Sequence, residues 1–429
     1  MRRGEIIAIG SELLLGGRLD TNSLFLTEEL AGVGVEVRFK TAVGDEEDEI
    51  AAAIKSAVQR ADIVILTGGL GPTSDDRTRQ AVARATKRPL HRRVEAFEGM
   101  RRRMAVWGRT PSAAHRRQAL IPSGADVLAN PVGSAPGFCL MWRGCLLCAL
   151  PGVPAEAKGM FVESVLPRLA ATPDTHRGAF VERQMLHTFG VPESEVEERI
   201  KGLVPSVRGV RLGLLSSPLG VTISLTAFRS KGTAGKKRAA SPLDDLVRNM
   251  RKRIGTWLYA EGTETMEEVV GRRLSTRGLT IAVAESCTGG LIGHRLTQVA
   301  GSSAYLDRVV VSYSNQSKVE LLGVPDDLIA QHGAVSPEVA GAMASGIRLR
   351  SRVNIGLSIT GIAGPEGGTP KKPVGLVYVG LDSAISSQRS QPEAGHPRVE
   401  EFRFHGDRHT IKLRASQAAL DVLRRWLES

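Results

Sequence analysis

The chain has 429 residues, of which 42% are hydrophobic and 24% are charged, and its formal net charge at pH 7 is +12. A single hydrophobic core stops growing at about 250–300 residues, so we expect two or three domains. The composition excludes wholesale disorder, and no apolar run approaches the roughly 18 residues that a membrane-spanning helix needs. Four cysteines in so long a chain do not predict a disulfide framework. These features are typical of a soluble cytoplasmic protein.

The excess of positive charge is concentrated in residues 229–253, which hold nine Lys and Arg against two Asp. A local basic stretch is more often a solvated loop or linker than a recognition surface. The motif GTAG at residues 232–235 matches the GxxG of RNA-binding KH modules, but four letters are weak evidence. No Tyr or Phe is interleaved among these basic residues, which disfavours stacking on bases. We therefore interpret the segment as a flexible loop.

The amino-terminal part of the chain alternates short apolar runs with helical patterns: EIIAIG, NSLFLTEELAG, VEVRFK, DEEDEIAAAIKSAVQRA and DIVILTGG. This βαβαβ rhythm predicts a parallel sheet covered by helices. Asp45 is placed to cap a helix in which Ile50, Ile54 and Val58 form one buried face. Cys145 and Cys148, three apart in the apolar run CLLCAL, are expected on opposite faces of a buried strand.

A second α/β pattern begins at Thr265, whose hydroxyl is placed to cap a helix with Glu268 completing a capping box. Strand and helix patterns then alternate to the last helix, whose apolar residues at helical spacing are Ile411, Ala415, Ala419, Val422 and Trp426. The predicted fold class is α/β, with two three-layer α/β domains joined by a small α+β connecting domain. The expected boundaries are residues 1–170, 171–262 and 263–429.

Small and polar residues gather where four carboxy-terminal strands end: AESCTGG at 284–290, SYSNQSK at 312–318, TGIAGPEGG at 360–368 and HGDR at 405–408. Ligands of open α/β sheets bind beyond the carboxyl ends of the strands, so we expect these four segments to converge on one site. Gly289 and Gly290 would let the chain turn into a helix whose free N–H groups face that site.

Ser286 is a candidate nucleophile because it ends a strand at this site, and Lys318 is the candidate base that would take its proton. Lysine can act as a base only if burial or a nearby cation lowers its pKa toward neutrality. Cys287 is the rival nucleophile, since a thiolate is intrinsically more reactive than a hydroxyl. A purely structural role for SCTGG, as a cap and turn, is the remaining alternative.

These segments, with AQHGAVS and KPVG, resemble the carboxy-terminal domain of the CinA family over residues 264–429. The resemblance implies an amidase that hydrolyses nicotinamide mononucleotide to nicotinic acid mononucleotide and ammonia without a cofactor. It assigns Ser286 as nucleophile and Lys318 as base, with Tyr313 orienting them. The substrate-binding residues would be Thr288, Gly289, Gly290, Asn315, Gly361, Ile362, Ala363, Gly364, Arg408 and Lys412.

The resemblance further implies that Arg408 or Lys412 meets the substrate phosphate. Relatives commonly carry arginine where this chain has Lys412. Lysine is a point charge without the planar fork of arginine, so bidentate phosphate binding is not expected at this position.

The amino-terminal domain has a candidate site in TGGLGPTSDD at residues 67–76, where glycines let backbone N–H groups approach phosphates and Asp75 and Asp76 could hold a divalent cation. A glycine turn followed by a helix start would use the same residues. With IGSELLLGGRLDTNS, VGD, NPVGSAPGF and LPGVPAE, this region resembles the CinA version of the molybdopterin-binding domain. The resemblance implies a nucleotide site formed by Glu12, Asn22, Asp45, Gly68, Gly69, Gly71, Asp75, Asp76, Asn130 and Glu156.

Metal-dependent ADP-ribose pyrophosphatase activity is what this second resemblance implies, although binding of a molybdopterin-like ligand without turnover would use the same residues. Three hypotheses therefore stand: a bifunctional enzyme of pyridine-nucleotide salvage, a nucleic-acid-associated competence or damage-response factor, and an amidase regulated by an amino-terminal nucleotide sensor. The expected partners are small-molecule nucleotides and a second copy of the chain, with neither nucleic acid nor membrane.

Overall fold

The computed structural model describes residues 2–171, 180–203, 209–229, 242–385 and 397–429. Residues 230–241, which include the GTAG motif, lie outside the described residues. The chain divides into two compact units, one formed mainly by residues 1–182 and the other by residues 183–226 and 240–429. No helix in the described part of the chain combines the length and the apolar character that a membrane span requires.

The first unit is built on a six-stranded sheet of order β2-β1-β3-β8-β7-β6. Its elements are β1 (Arg2–Ile9), α1 (Ser11–Leu14), α2 (Thr21–Gly32), β2 (Val35–Val43), α3 (Glu47–Arg60), β3 (Ile63–Thr67), α4 (Thr78–Thr86), β4 (Leu90–Arg92), α5 (Val94–Val106), α6 (Ala113–Arg117), β5 (Leu120–Pro122), β6 (Asp126–Leu128), β7 (Gly137–Trp142), β8 (Cys145–Leu150), α7 (Pro154–Met160) and α8 (Leu166–Ala171). Strands β2, β1, β3 and β8 pair in parallel, as predicted.

The sheet also contains β6 and β7, which the βαβαβ pattern does not predict and which pair antiparallel to their neighbours. The physical reason is the two-residue hairpin between β7 and β8. Arg143 and Gly144 both have positive φ angles, of 52° and 78°. Two left-handed residues in succession form the tight turn that joins adjacent antiparallel strands.

Helices cover both faces of this sheet, which makes the unit three-layered. Ile50, Ile54 and Val58 of α3 are buried in the core on one face, as their spacing predicts. The interpretation of Asp45 as the cap of α3 is wrong, because α3 begins after Glu46. The Asp45 carboxylate instead accepts the N–H of Ser11 at 2.9 Å, at the start of α1.

Strand β8 carries two of the four cysteines. Cys145 and Cys148 are buried in the cores on opposite faces of the sheet, as expected. Cys148 lies directly opposite Cys139 in β7, and the two are joined as a disulfide. The sequence does not indicate this bond, because it depends on the register of the β7–β8 hairpin.

The second unit begins with a four-stranded sheet of order β10-β11-β9-β12. Its elements are β9 (Phe180–Thr188), α9 (Glu193–Ile200), β10 (Val210–Ser217), β11 (Gly220–Arg229), α10 (Pro242–Ile254) and β12 (Leu258–Glu261). The loop interpretation of residues 229–253 is wrong for α10. The reason is the helical spacing of its apolar residues, since Leu243, Val247, Met250 and Ile254 are all buried.

The rest of the second unit is a five-stranded sheet of order β14-β13-β15-β16-β17. Its elements are α11 (Met266–Arg277), β13 (Ile281–Glu285), α12 (Leu291–Gln298), β14 (Leu306–Val311), α13 (Asn315–Leu322), α14 (Asp326–His332), α15 (Pro337–Ser351), β15 (Ile355–Gly361), β16 (Leu376–Ser383), β17 (Arg398–Arg403) and α16 (Arg408–Glu428). Helices α11, α12 and α16 cover one face, and α13, α14 and α15 cover the other. The protein is therefore α/β, with two three-layer domains and a small connecting region.

Two local predictions for this domain are confirmed. Thr265 and Glu268 form the capping box of α11. The five apolar positions named for α16 are all buried. Strand β13 pairs in parallel with β14 and β15, and β16 runs antiparallel between β15 and β17. Strands β13, β14, β15 and β17 therefore all end at the same edge of the sheet.

Candidate active site

The four polar segments that follow β13, β14, β15 and β17 meet at this common edge. Lys318 from the second segment contacts Ser286 in the first, and Arg408 from the fourth contacts Gly364 in the third and Tyr313 in the second. Hydrogen bonds from the Lys318 and Arg408 side chains thus join all four segments, as the rule for strand ends predicts.

Ser286 and Lys318 form the central pair of the site. The Nζ atom of Lys318 lies 3.2 Å from the Oγ atom of Ser286. Both residues are buried, with exposures of 8% for Ser286 and 1% for Lys318. The distance allows a proton to pass directly between the hydroxyl and the amine.

Burial favours the neutral form of Lys318. Its Nζ atom also lies 2.8 Å from the carbonyl oxygen of Ser312 and 3.5 Å from that of Tyr313. Carbonyl oxygens only accept hydrogen bonds, so a neutral amine can donate its two hydrogens to them and turn its lone pair toward the Ser286 hydroxyl. Burial lowers the Lys318 pKa below its ordinary value of 10.5. No carboxylate of the described residues forms an ion pair with this amine.

The rival nucleophile, Cys287, is in a different environment. Its side chain is 7% exposed and belongs to the hydrophobic core beneath the site. Burial raises the pKa of the Cys287 thiol to about 12. A thiol that stays protonated at neutral pH is a weak nucleophile, so burial of Cys287 favours Ser286 as the nucleophile.

The turn between β13 and α12 has the predicted glycine conformation, with φ angles of 62° at Gly289 and 93° at Gly290. The prediction that the first N–H groups of α12 face the ligand is wrong for Gly290, Ile292 and Gly293. These three amides donate to the buried carboxylate of Glu285, at 2.9, 3.2 and 2.8 Å. The reason is that a negative charge from the preceding strand already occupies the positive end of the helix.

Thr288 and Asn315, both expected to bind substrate, lie in contrasting environments. Thr288 is fully buried, and its hydroxyl donates to Glu285 at 2.6 Å. Thr288 therefore stabilises the turn. Asn315 is exposed at the start of α13.

Tyr313 approaches Lys318 through its backbone. Its side chain is 60% exposed, and its phenol oxygen accepts a hydrogen bond from Arg408 at 2.8 Å. The same guanidinium donates to the carbonyl oxygen of Gly364 at 2.6 Å. Orientation of Lys318 thus comes from the carbonyls of Ser312 and Tyr313, and Arg408 joins the second and third segments.

Lys412 lies one helical turn after Arg408 on α16 and reaches the turn that follows Ser286. Its Nζ atom is 3.5 Å from the position that a Cβ atom on Gly289 would occupy. A side chain at this position would therefore contact the ammonium group. The structure thus places one cation directly beside the glycine turn.

The predicted pocket residues 361–364 begin at the last residue of β15. The N–H of Ile362 donates to Leu376 at 2.9 Å, and the carbonyl of Ile362 accepts the N–H of Gly375 at 2.7 Å. Ala363 is buried in the core, while Gly361 is partly exposed. This segment is thus held by hydrogen bonds to the start of β16.

The amino-terminal unit has a separate cleft of about 450 Å³ above the glycine-rich turn. Eight of the ten residues expected there line it: Glu12, Asp45, Gly68, Gly69, Gly71, Asp75, Asp76 and Glu156. The other two support it. Asn130 donates to Glu156 at 2.6 Å, and buried Asn22 donates to Thr67 at 2.9 Å and to Gly152 at 2.8 Å.

The carboxylate of Asp76 is already engaged by its own turn. It accepts the N–H of Gly71 at 2.7 Å and both the N–H and the hydroxyl of Thr73. Asp75 lies next to it in the chain and is exposed. Within the described ranges, no group of three or more His, Cys, Asp or Glu side chains is arranged to hold a metal ion. The residues therefore do not form a ready-made cation site.

Two contributors to the carboxy-terminal site escape sequence reasoning. Ser312 acts through its carbonyl oxygen, and a backbone contact leaves no signal in residue type. Glu285 does leave one, because it is the single charged residue at the end of the otherwise apolar strand IAVAE and is fully buried. A charge in such a position indicates a specific set of hydrogen-bond donors.

Comparisons with known proteins agree with this architecture of two three-layer α/β domains and a connecting module. Residues 5–171 match the probable molybdopterin binding domain, residues 183–260 the damage-inducible protein CinA KH domain, and residues 263–427 the CinA C-terminal domain. A relative from Halothermothrix orenii, named competence-damage inducible protein, is 41% identical over 99% of this chain and 98% of its own length. The chain belongs to the CinA family.

A second relative shows the same similarity over nearly the whole chain. The CinA-like protein of Gemmatimonas aurantiaca is 40% identical over 98% of this chain and 95% of its own length. The crystal structure of the competence/damage inducible protein CihA from Agrobacterium tumefaciens is 38% identical. It covers 39% of this chain and 98% of its own, with a TM-score of 0.34.

Proposed function

We propose that residues 263–429 form a nicotinamide-nucleotide amidase, which hydrolyses nicotinamide mononucleotide to nicotinic acid mononucleotide and ammonia. The observation that carries the proposal is the hydrogen bond between Lys318 and Ser286, with Lys318 buried and its pKa lowered. A serine hydroxyl with a neutral amine as its base is an arrangement that can hydrolyse an amide. Membership of the CinA family supports the choice of substrate.

The reaction follows from the positions of these two side chains. Ser286 Oγ attacks the carboxamide carbon while its proton passes to Lys318 Nζ. The resulting ammonium returns that proton to the departing NH₂ group, which leaves as ammonia, and an ester remains on Ser286. Water then attacks the ester carbon, Lys318 takes the proton of the water and passes it to Ser286 Oγ, and the carboxylic acid product is released.

The phosphate of the substrate needs a cation at a fixed distance from the reacting amide. Arg408 already donates hydrogen bonds to Gly364 and Tyr313, whereas Lys412 lies beside the glycine turn. We therefore assign the phosphate to Lys412, with Arg408 holding the surrounding segments in place. Lysine would bind the phosphate as a single positive charge, because it lacks the planar guanidinium with which arginine forms two parallel hydrogen bonds.

For residues 1–170 we propose a second activity, the hydrolysis of the pyrophosphate bond of ADP-ribose in the presence of a divalent cation. The supporting observation is the cleft of about 450 Å³, which joins the glycine-rich turn to several carboxylates. Oxygen ligands of this kind suit Mg²⁺, but the described side chains form no preassembled cation site. We therefore derive no catalytic step through the metal.

Ammonia release from nicotinamide mononucleotide tests the main proposal. The intact protein should release ammonia, and Ser286→Ala and Lys318→Ala should each abolish this while the proteins stay folded by circular dichroism. Glu268→Gln provides a matched control, because Glu268 caps α11 outside the site. Wild-type turnover in both active-site variants would refute the assignment.

A further inference from the structure

The carboxylate of Glu285, the residue before the proposed nucleophile, accepts four hydrogen bonds. It accepts the Thr288 hydroxyl at 2.6 Å and the N–H groups of Gly290, Ile292 and Gly293 at 2.9, 3.2 and 2.8 Å. The residue is fully buried. Among the described residues, no Lys or Arg forms an ion pair with it.

Burying a carboxylate without a cationic partner costs free energy, which hydrogen-bond donors must offset. Here four donors and the positive end of α12 offset this cost. An ordinary cap at the start of α12 would satisfy the helix at much lower cost. Glu285 differs from such a cap because it reaches from the last residue of β13 across the turn to the helix.

Ser286 lies inside the loop that this carboxylate closes. Its N–H donates to the carbonyl of Ile359 at 3.1 Å, and its carbonyl accepts the N–H of Gly289 at 3.1 Å. Successive residues of a strand point to opposite sides, so Glu285 is directed toward α12 while Ser286 is directed toward Lys318. The carboxylate thus fixes both ends of the turn that carries the nucleophile.

We propose that Glu285 is a positioning residue that holds the Ser286 hydroxyl in line with Lys318, which rests on the amidase function proposed above. Glu285 does not touch the hydroxyl or the amine. It acts by holding residues 286–290 in one conformation. A displacement of a reacting group by about 1 Å can reduce a rate by about 100-fold.

Glu285→Gln is the sharpest test, because it keeps the size of the side chain and removes acceptor capacity. All four partners are donors, and the amide NH₂ of glutamine would face at least one of them. We expect kcat for nicotinamide mononucleotide to fall by about 10- to 100-fold, with KM changed by less than about threefold. The midpoint of the pH–rate profile should stay at its wild-type position, since Lys318 keeps its surroundings.

Glu268→Gln is the matched control, because Glu268 accepts the N–H and hydroxyl of Thr265 in the capping box of α11. It removes a capping carboxylate from the same domain without touching the turn, and kcat should stay at the wild-type value. A wild-type kcat in Glu285→Gln would overturn the proposal. A shifted pH midpoint would overturn it as well, because Glu285 would then act through its charge on Lys318.

Thr288→Val is the second test of the positioning role, to be used if Glu285→Gln does not fold. It removes only the hydroxyl hydrogen bond to Glu285 and keeps the shape of the side chain. We expect a fall in kcat of about three- to tenfold, smaller than that for Glu285→Gln because three amide donors remain. An unchanged kcat in Thr288→Val would then refute the positioning role.

Labelling by a fluorophosphonate probe separates this proposal from the choice of substrate. The rate of covalent modification of Ser286 reports its activation without nicotinamide mononucleotide. We expect Glu285→Gln to slow labelling by about tenfold and Glu268→Gln to leave it unchanged. If the wild type is labelled but releases no ammonia, the amidase assignment fails and the labelling rates still decide the role of Glu285. Absence of labelling in the wild type would overturn both proposals.

Discussion

Lys318 and Ser286 are 32 positions apart in the chain, yet the Nζ atom of Lys318 lies 3.2 Å from the Oγ atom of Ser286. The contact spans two connections of the parallel sheet, since Ser286 follows β13 and Lys318 lies on α13 after β14. Because β13 and β14 pair in parallel, their ends meet at one edge and bring the two side chains together.

The rate of ammonia release should rise with pH and then level off. Only neutral Lys318 can take the proton of Ser286, and burial lowers the Lys318 pKa below 10.5. The neutral fraction therefore increases as pH rises through this lowered pKa, so the midpoint should lie below 10.5. The measurement is kcat for nicotinamide mononucleotide against pH.

Lys318→Arg is the companion variant for this pH dependence. Arginine keeps the positive charge but does not lose its proton in proteins. We expect kcat to fall by about 10²- to 10⁴-fold at every pH tested, with no recovery at high pH. Recovery of the rate in alkaline solution would contradict the role of Lys318 as base.

Cys287→Ala should retain most of the amidase activity. With a thiol pKa of about 12, Cys287 is almost entirely protonated at neutral pH. We expect kcat within about threefold of the wild type, and iodoacetamide should leave the native protein active, because buried neutral thiols react slowly. The opposite pattern, with Cys287→Ala inactive and Ser286→Ala active, would make the cysteine the nucleophile.

Lys412→Ala should affect phosphorylated substrate selectively. The lysine lies beside the turn at Gly289, where we place the substrate phosphate. Losing one hydrogen bond to a charged group costs about 1.5–3 kcal/mol, so KM for nicotinamide mononucleotide should rise by about 10- to 100-fold. Nicotinamide riboside, which has no phosphate, is the comparison substrate. Equal losses on the two substrates would place the phosphate elsewhere.

Asp76→Ala should separate the two proposed activities. Asp76 accepts three hydrogen bonds from residues 71–73, so its loss should disorganise the glycine-rich turn and abolish AMP release from ADP-ribose. Ammonia release from nicotinamide mononucleotide should stay within about twofold of the wild type, because Asp76 belongs to a different compact unit from Ser286 and Lys318. Asp75→Ala, at a neighbouring exposed carboxylate, should have the smaller effect.

Two outcomes would revise the amino-terminal assignment. AMP release at the wild-type rate by Asp76→Ala would remove the turn from the reaction. Binding of ADP-ribose by the wild type without AMP release would favour the nucleotide sensor over the pyrophosphatase.

Residue type and strand position predict much of the carboxy-terminal site. Glycines, serines and a lysine after successive strand patterns indicate a shared edge, and the structure brings Ser286 within reach of Lys318. The donors used by Glu285 could not be predicted this way, because helix α12 offers the same free amides to a side chain or to a ligand. Only the three-dimensional path of the turn decides between them.

The errors elsewhere have similar causes. Asp45 has the residue type of a cap, but its carboxylate accepts the N–H of Ser11 at the start of α1, a contact between positions 34 apart that local sequence does not indicate. In α10, basic residues conceal an amphipathic pattern whose apolar positions are fully regular. The antiparallel pairing of β7 depends on a hairpin with the turn residues Arg143 and Gly144. Arginine is unusual in such a turn, because its φ angle must be positive.

The Lys318 amine is aligned by the carbonyl oxygens of Ser312 and Tyr313, and neither contact involves the side chain of Ser312 or Tyr313. Carbonyl groups are present whatever amino acid occupies these positions. The alignment of Lys318 should therefore tolerate replacement of the side chains at 312 and 313, provided that the path of the chain is kept. Insertion or deletion of one residue between Val311 and Ser314 would shift both oxygens at once. The alignment of Lys318 therefore depends on the length of this connection more than on its amino-acid composition.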